Sequence, residues 1–215
     1  GDLRGPRIRV GEIEGGTVDL KAGRQICLTP RRSAGNHKCV SVSYPDMAKD
    51  VQIGSLILLD DGNIEFEVEK IEINGDVWCR VRQGDTLSSH QGINLPGLRV
   101  SLPSITQKDY MDIDFAVAQD LDFLALSFVQ HADDVGHLKN YLTQKGSDIR
   151  VIAKIERQNA LDDIETIVRE AHGVMVARGD LALEMSFQEL PIAQKQIIGV
   201  CRRAAIPVIT ATQML

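Results

Sequence analysis

From Val151 to Asp180 the chain reads VIAKIERQ, then a stretch of helical periodicity, then GVMVARGDLALE. Few folds accept such a pattern. The runs Val151-Ile152-Ala153 and Val174-Met175-Val176 are short, apolar and unbroken, as in parallel strands buried on both faces. Each ends in charge: Lys154-Ile155-Glu156 after the first, Arg178-Gly179-Asp180 after the second. Residues two apart share a face of a strand, so Lys154 and Glu156 point the same way. Asp180 follows the end of the next strand, one βα unit later. Ligands in α/β folds bind at the carboxyl ends of parallel strands.

Two carboxylates and an ammonium at one such mouth suggest a definite chemistry. Glu156 and Asp180 could hold a hard divalent cation through oxygen, since Mg²⁺ often takes one or two protein carboxylates and leaves its other positions to substrate and water. Lys154 would add positive charge where an oxyanion or phosphoryl group develops. The spacing alone leaves a second reading open, in which Lys154 and Glu156 are strand-end charges paired with each other.

The same alternation of strand and helix extends over the second half of the chain. Phe123 to Val129 reads as a buried strand, and Val135, Leu138 and Leu142 mark a helix. Leu161, Ile164, Ile167 and Val168 form one amphipathic face after the Val151–Ile155 strand. Pro191 suits a first helical turn, and Pro207 to Thr212 is the last strand. Thr106-Gln107-Lys108-Asp109 is a capping-box start to a further helix. Such spacing indicates βα repeats and a parallel sheet.

The first half differs. Asp2 to Val10 (DLRGPRIRV) is extended and basic, broken at Gly5-Pro6. From Gly11 to Pro96 short strands alternate with tight turns, of which Asp61-Gly62 and Asn74-Gly75 favour positive φ. GNIEFEVEKIEI alternates apolar and acidic residues, so one face is core and the other solvent. Gly92 to Gly97 (GINLPG) reads as a return linker. The expected organisation is a strand over 1–10, an inserted all-β domain over 11–97, and βα units over 98–215.

Composition narrows the function classes. Acidic residues outnumber basic ones, 30 to 24, which argues against nucleic acid as the main partner. No run approaches the ~18 apolar residues of a membrane span. Arg4, Arg7 and Arg9 are interleaved with Pro and Ile, unlike a signal peptide. Cys27, Cys39, Cys79 and Cys201 lie far apart, as free thiols in a reducing compartment do.

Five stretches in one order resemble the barrel core of pyruvate kinases: DLRGPRIRVG, GINLPG, IAKIERQNAL, HGVMVARGDLALE and PVITATQML. The resemblance implies an incomplete TIM (β/α)₈ barrel of about five βα strands with a small all-β barrel inserted as a lid. The family's chain has further strands on both sides, so this sequence resembles an internal portion, expected to be inactive by itself. The implied reaction is the glycolytic transfer of phosphoryl from phosphoenolpyruvate to ADP, giving pyruvate and ATP. Phosphates would be held by metal and basic side chains, as there is no Walker loop. The resemblance also implies a cytoplasmic homo-oligomer, a tetramer in the family.

By resemblance, Glu156 and Asp180 coordinate Mg²⁺ or Mn²⁺, and Lys154 stabilises the moving phosphoryl group and the enolate oxygen. Backbone N–H groups of Arg178-Gly179-Asp180 receive the substrate carboxylate. Thr212 sits where the enolate is protonated; a plain strand-end hydroxyl is the other reading. Arg9 faces the transferred phosphate and the nucleotide. Asp2 matches a ligand of a monovalent cation, Asp60-Asp61 match an Asp-Asp-Gly facing the cleft, and Ser127 matches a small polar cleft residue.

Several positions depart from the family pattern. Gln91 stands where many relatives have a lysine contacting nucleotide phosphate, with His90 only a partial substitute. Gln130 replaces an arginine, and Ala182 a glycine. Where K⁺-dependent members read D-T-K-G-P-E-I-R, this chain has Asp2-Leu3-Arg4-Gly5-Pro6-Arg7-Ile8-Arg9. Leu3 removes a hydroxyl and Arg7 reverses a charge, so K⁺ is expected not to be required. Two alternatives follow: another Mg-dependent phosphoenolpyruvate/pyruvate-barrel lyase, and a non-catalytic relative.

Overall fold

The computed structural model describes residues 1–212; Gln213, Met214 and Leu215, the end of the A-T-Q-M-L stretch, lie outside the described residues. Two units account for the chain, Gly1–Pro6 with Leu102–Leu215, and Arg7–Ser101. Asp2–Leu3 forms strand β1 of the first.

The Arg7–Ser101 unit follows from alternation and turns. Its strands are β2 (Thr17–Asp19), β3 (Gln25–Thr29), β4 (Cys39–Ser41), β5 (Leu56–Leu59), β6 (Ile64–Ile71), β7 (Val77–Gln83), β8 (Thr86–Ser88) and β9 (Ile93–Asn94), with one short helix, α1 (Met47–Asp50). Six of them form a sheet in the order β4-β3-β7-β6-β5-β9, and β2 pairs with β8. Along β6, Ile64, Phe66 and Val68 are buried while the glutamates between them face outward. Glu67 and Glu69 there meet Arg82 and Arg80 across the sheet. At the β5–β6 turn Asp60, Asp61 and Gly62 take φ of 52°, 50° and 89°. Three successive left-handed residues are tolerated because Asp and Gly visit that region most readily.

In the other unit the apolar runs become neighbours. The sheet has the order β1-β10-β11-β12-β13, all parallel, with β10 at Phe123–Leu126, β11 at Arg150–Ile155, β12 at Gly173–Ala177 and β13 at Val208–Ala211. The connecting helices are α2 (Gln107–Ala118), α3 (Ala132–Gln144), α4 (Gln158–Asp162), α5 (Ile164–Glu170), α6 (Arg178–Leu181) and α7 (Leu190–Ala204). Their apolar faces, including Leu138, Ile167 and Ile197, close on Leu126, Val151, Ala153, Val174 and Val176 in one core. Pro191 falls in the first turn of α7.

Two expectations are corrected here. The strand expected to run to Val129 stops at Leu126, because Phe128 has φ of 56° and a left-handed residue cannot continue a strand. The single helix expected across Leu161 to Val168 is two, broken at Asp163. The Asp163 carboxylate accepts the Ala132 N–H of α3 at 3.1 Å and the Thr166 hydroxyl, so it leaves helical geometry to cap elsewhere.

The capping box at α2 forms as the sequence suggests, with Thr106 and Asp109 reciprocally bonded. Asp109 does more. It is 0% exposed, and its Oδ1 also accepts the Gly5 N–H just after β1, at 3.2 Å. One buried carboxylate thus ties the chain leaving β1 to the start of α2. Asp109→Ala is expected to cost about 2–4 kcal/mol in urea unfolding, a lost cap plus orphaned buried donors. A loss under about 0.5 kcal/mol, the range of neutral surface changes, would contradict this role.

Candidate active site

Alternation along β11 sends Val151, Ala153 and Ile155 into the core and leaves Ile152 and Lys154 on the opposite face. Glu156 follows on that same face. The Lys154 ammonium lies 3.0 Å from Glu156 Oε1 and 3.3 Å from Asp2 Oδ1, and donates to Ser127 Oγ at 2.8 Å. Three parallel strands therefore converge on one cation: Asp2 from β1, Ser127 just after β10, Lys154 from β11.

Burial differs sharply among these groups. The Glu156 side chain is 1% exposed, Lys154 14% and Asp2 65%. Burial is the largest influence on Glu156 and raises its pKa; Lys154 pulls it down, and the negative charge of Asp180 pushes it up again. The net direction is upward. Burial is also the largest influence on Lys154 and disfavours its charge, but Glu156 and Asp2 together outweigh it and raise its pKa. Lys154 thus has two carboxylate neighbours, Glu156 and Asp2, while the buried Glu156 bears the cost of desolvation.

Asp180 lies on α6, the short helix that opens straight off β12, and is exposed. Because β12 lies beside β11, Asp180 stands at the strand end next to that of Glu156, and its charge acts on the Glu156 carboxyl. A divalent cation held between them would relieve both the like-charge repulsion and the desolvated Glu156, so these residues fit a Mg²⁺ or Mn²⁺ site of the two-carboxylate kind.

The remaining expected residues divide between the two units. Arg178 turns its guanidinium back to β13, donating to the carbonyls of Ala211 at 3.0 Å and Thr212 at 2.9 Å. That bond set fixes the α6 turn, whose first N–H groups have no intrahelical acceptor. A Cβ built on Gly179 would lie 3.7 Å from Thr212 Cγ2, so Thr212 stands beside this turn. Thr212 has φ of 68°, uncommon for a β-branched residue and worth about 1–3 kcal/mol of strain. Arg9 belongs to the Arg7–Ser101 unit, where its Nη1 donates to the His90 carbonyl at 2.7 Å. Gln91 accepts the Ser88 N–H at 2.9 Å on its own side-chain oxygen, and His90 Nε2 sits 3.0 Å from Glu12 Oε1.

All of the chain matches the family model described as pyruvate kinase, barrel domain, over residues 1–215. The chain belongs to the pyruvate kinase family. It is 43% identical over 217 residues to pyruvate kinase 2 of Synechocystis sp., and 41% identical over 215 residues to pyruvate kinase of Staphylococcus aureus strain MRSA252. Each match covers 100% of the chain and 37% of the relative, so the chain spans little over a third of the length of these curated relatives. The crystal structure of a pyruvate kinase from Cryptosporidium parvum superimposes with a TM-score of 0.95 at 41% identity, covering 100% of this chain and 45% of that one.

Within this pyruvate kinase barrel portion, two residues at the site went unnoticed in the sequence. The Phe128 N–H donates to Glu156 Oε2 at 2.7 Å, and its left-handed backbone aims it there. Gly5, also left-handed, makes room: a Cβ on it would come within 3.1 Å of the Phe128 ring and 3.3 Å of the Ser127 carbonyl. No local signal marks Phe128, whereas Gly5-Pro6 was visible only as a chain break. At β1 the expected effect of Leu3 on K⁺ is corrected. Leu3 is 1% exposed in the core, on the face of β1 opposite Asp2, so a hydroxyl in its place would not reach a cation at Asp2.

Proposed function

We propose that this chain is the part of a pyruvate kinase that holds the metal and moves the phosphoryl group of phosphoenolpyruvate to ADP, giving pyruvate and ATP in glycolysis. The observation that carries the reading is the Lys154 ammonium anchored by Asp2, Ser127 and Glu156, with Asp180 acting on Glu156. Family membership favours it over the lyase alternative. The parallel sheet is then five strands of a (β/α)₈ barrel, and the Arg7–Ser101 unit its lid.

In this reading Glu156 and Asp180 hold Mg²⁺ or Mn²⁺. When bound, the metal neutralises substrate oxygens and orients them for in-line transfer. Lys154, already positioned and desolvated, adds fixed positive charge for the phosphoryl group and the enolate oxygen without reorganising. Phe128 holds one oxygen of Glu156, so the carboxylate does not swing when Lys154 engages substrate. The backbone N–H groups of Arg178, Gly179 and Asp180 take the substrate carboxylate, and Thr212 is given the protonation of the enolate. Arg9 is given the transferred phosphate and the nucleotide on its motif alone. A cytoplasmic tetramer is part of the same proposal. Among the described residues no helix is long and apolar enough to cross a membrane.

The test is a coupled assay of the protein carrying this chain with phosphoenolpyruvate, ADP and Mg²⁺. Pyruvate formation that stops when Mg²⁺ is chelated is expected. An enzyme that instead splits or joins carbon skeletons, or one with no turnover, would reject the reading.

Arg7 governs a further expectation about K⁺. It is exposed and has no carboxylate partner among the described residues, and its charge is permanent. By its motif Arg7 stands where K⁺-dependent members carry a glutamate, and a permanent cation at that position would repel K⁺ and supply the field that K⁺ supplies in other members. Since Leu3 faces the core, Arg7 alone carries the argument. Rates in tetramethylammonium buffer should match those with K⁺ within about twofold, and Arg7→Glu should acquire stimulation of about tenfold, roughly 1.4 kcal/mol. Tenfold stimulation of the unsubstituted enzyme would reject it.

A further inference from the structure

The Arg7–Ser101 unit carries a cavity of about 930 Å³ that the proposed reaction does not use, lined wholly by that unit. Lys21, Arg24, His37, Lys38 and Arg80 stand around it, together with Trp78. Asp19 is the one acidic residue of the lining, and it already accepts a bond from the Thr86 hydroxyl at 2.8 Å. In a chain of formal net charge −6, this local excess of positive charge stands against the composition.

Only part of that charge is answered. Arg80 pairs with Glu69 and with the Gly23 carbonyl. Lys21, Arg24 and Lys38 have no carboxylate partner among the described residues. Cations around one concavity repel each other and attract an anion into it. The concavity also has a hard wall. Trp78 is half-buried in β7, which restricts the ring while it lines the cavity. Fixed aromatic rings stack on nucleobases, and lysine and arginine side chains take phosphate oxygens. The volume falls in the range of about 300–1,000 Å³ that small-molecule sites occupy.

We propose that this cavity is a nucleotide-binding site, taking the polyphosphate of a nucleoside di- or triphosphate on Lys21, Arg24 and Lys38 and its base on Trp78. A plain polyanion would satisfy the charges but not use the ring, so the base should contribute to affinity. Binding there does not require the Lys154 site to be catalytic.

Trp78 is the single tryptophan of the 215-residue sequence, so the reporter is built in. The experiment titrates ATP, without divalent cation, into the protein carrying this chain and follows tryptophan fluorescence, with Trp78→Phe subtracted. A saturable change is expected. Its Kd should rise at least about tenfold in a Lys21→Ser, Arg24→Ser, Lys38→Ser variant and should weaken with added salt. All three side chains are exposed, so the variant removes charge without disturbing the core, which its unchanged melting midpoint would verify. Inorganic triphosphate should bind at least about tenfold more weakly than ATP. Lys154→Met should leave the titration as it was. The proposal is overturned by the absence of a saturable Trp78 signal, by an unchanged Kd in the triple variant, by equal affinity for inorganic triphosphate, or by loss of the signal in Lys154→Met.

Discussion

Lys154→Met is expected to lower kcat by about 10³-fold while leaving Mn²⁺ affinity within about threefold, a loss of the size seen when one positioned electrostatic group is removed. The surroundings of the ammonium explain both numbers. Its three partners hold it in place, so in the proposed role its charge would act on the transition state without a cost of reorganisation. Methionine keeps the length and loses the charge. The carboxylates that remain, Asp2, Glu156 and Asp180, make the mouth more negative, so a divalent cation should bind as well as before or slightly better. Paramagnetic relaxation of water by bound Mn²⁺ reads the second quantity independently of turnover. Unchanged kcat would remove Lys154 from the mechanism. Lost Mn²⁺ binding with lost kcat would mean that the substitution collapsed the site.

Glu156→Gln should do the reverse at the metal. The amide oxygen can still accept the Phe128 N–H, and the side chain still fills its buried position. The charge, however, is gone. Mn²⁺ affinity is expected to fall by about 100-fold, roughly 2.7 kcal/mol. Stability should change by less than about 1 kcal/mol, because the lost attraction to Lys154 is offset by relief from desolvating a carboxylate, and Lys154 retains Asp2 and Ser127. Equal Mn²⁺ affinity in the two proteins would show that Glu156 is the structural partner of Lys154 and nothing more. That is the reading which the sequence spacing left open.

The central strands were legible because each is an apolar run too short for a helix and ends in charge. Period two then put Lys154 and Glu156 on one face, and the chain position of Asp180 put it at the next strand end. The same period, applied to Asp2 and Leu3, places Leu3 on the core side, where a hydroxyl could not reach a cation at Asp2. The break at Asp163 was not legible, because its cause is a carboxylate capping a helix about thirty residues earlier, at Ala132. Phe128 was hidden for a similar reason. Its left-handed turn is permitted by Gly5 across the sheet and used by Glu156 on the next strand, and neither partner is a sequence neighbour. Capping of α2 lay within four residues and could be read, yet the bond from Asp109 to Gly5 could not.

The account stands or falls on whether Glu156 and Asp180 share one ion. The most direct measurement is anomalous diffraction from crystals of the protein grown with Mn²⁺. One peak should lie within about 2.0–2.2 Å of a carboxylate oxygen of each residue, close to the distances expected for Mg²⁺, with Lys154 beside it and not in its coordination shell. A peak bound to only one of the two carboxylates, or no peak at this strand end, would contradict the account.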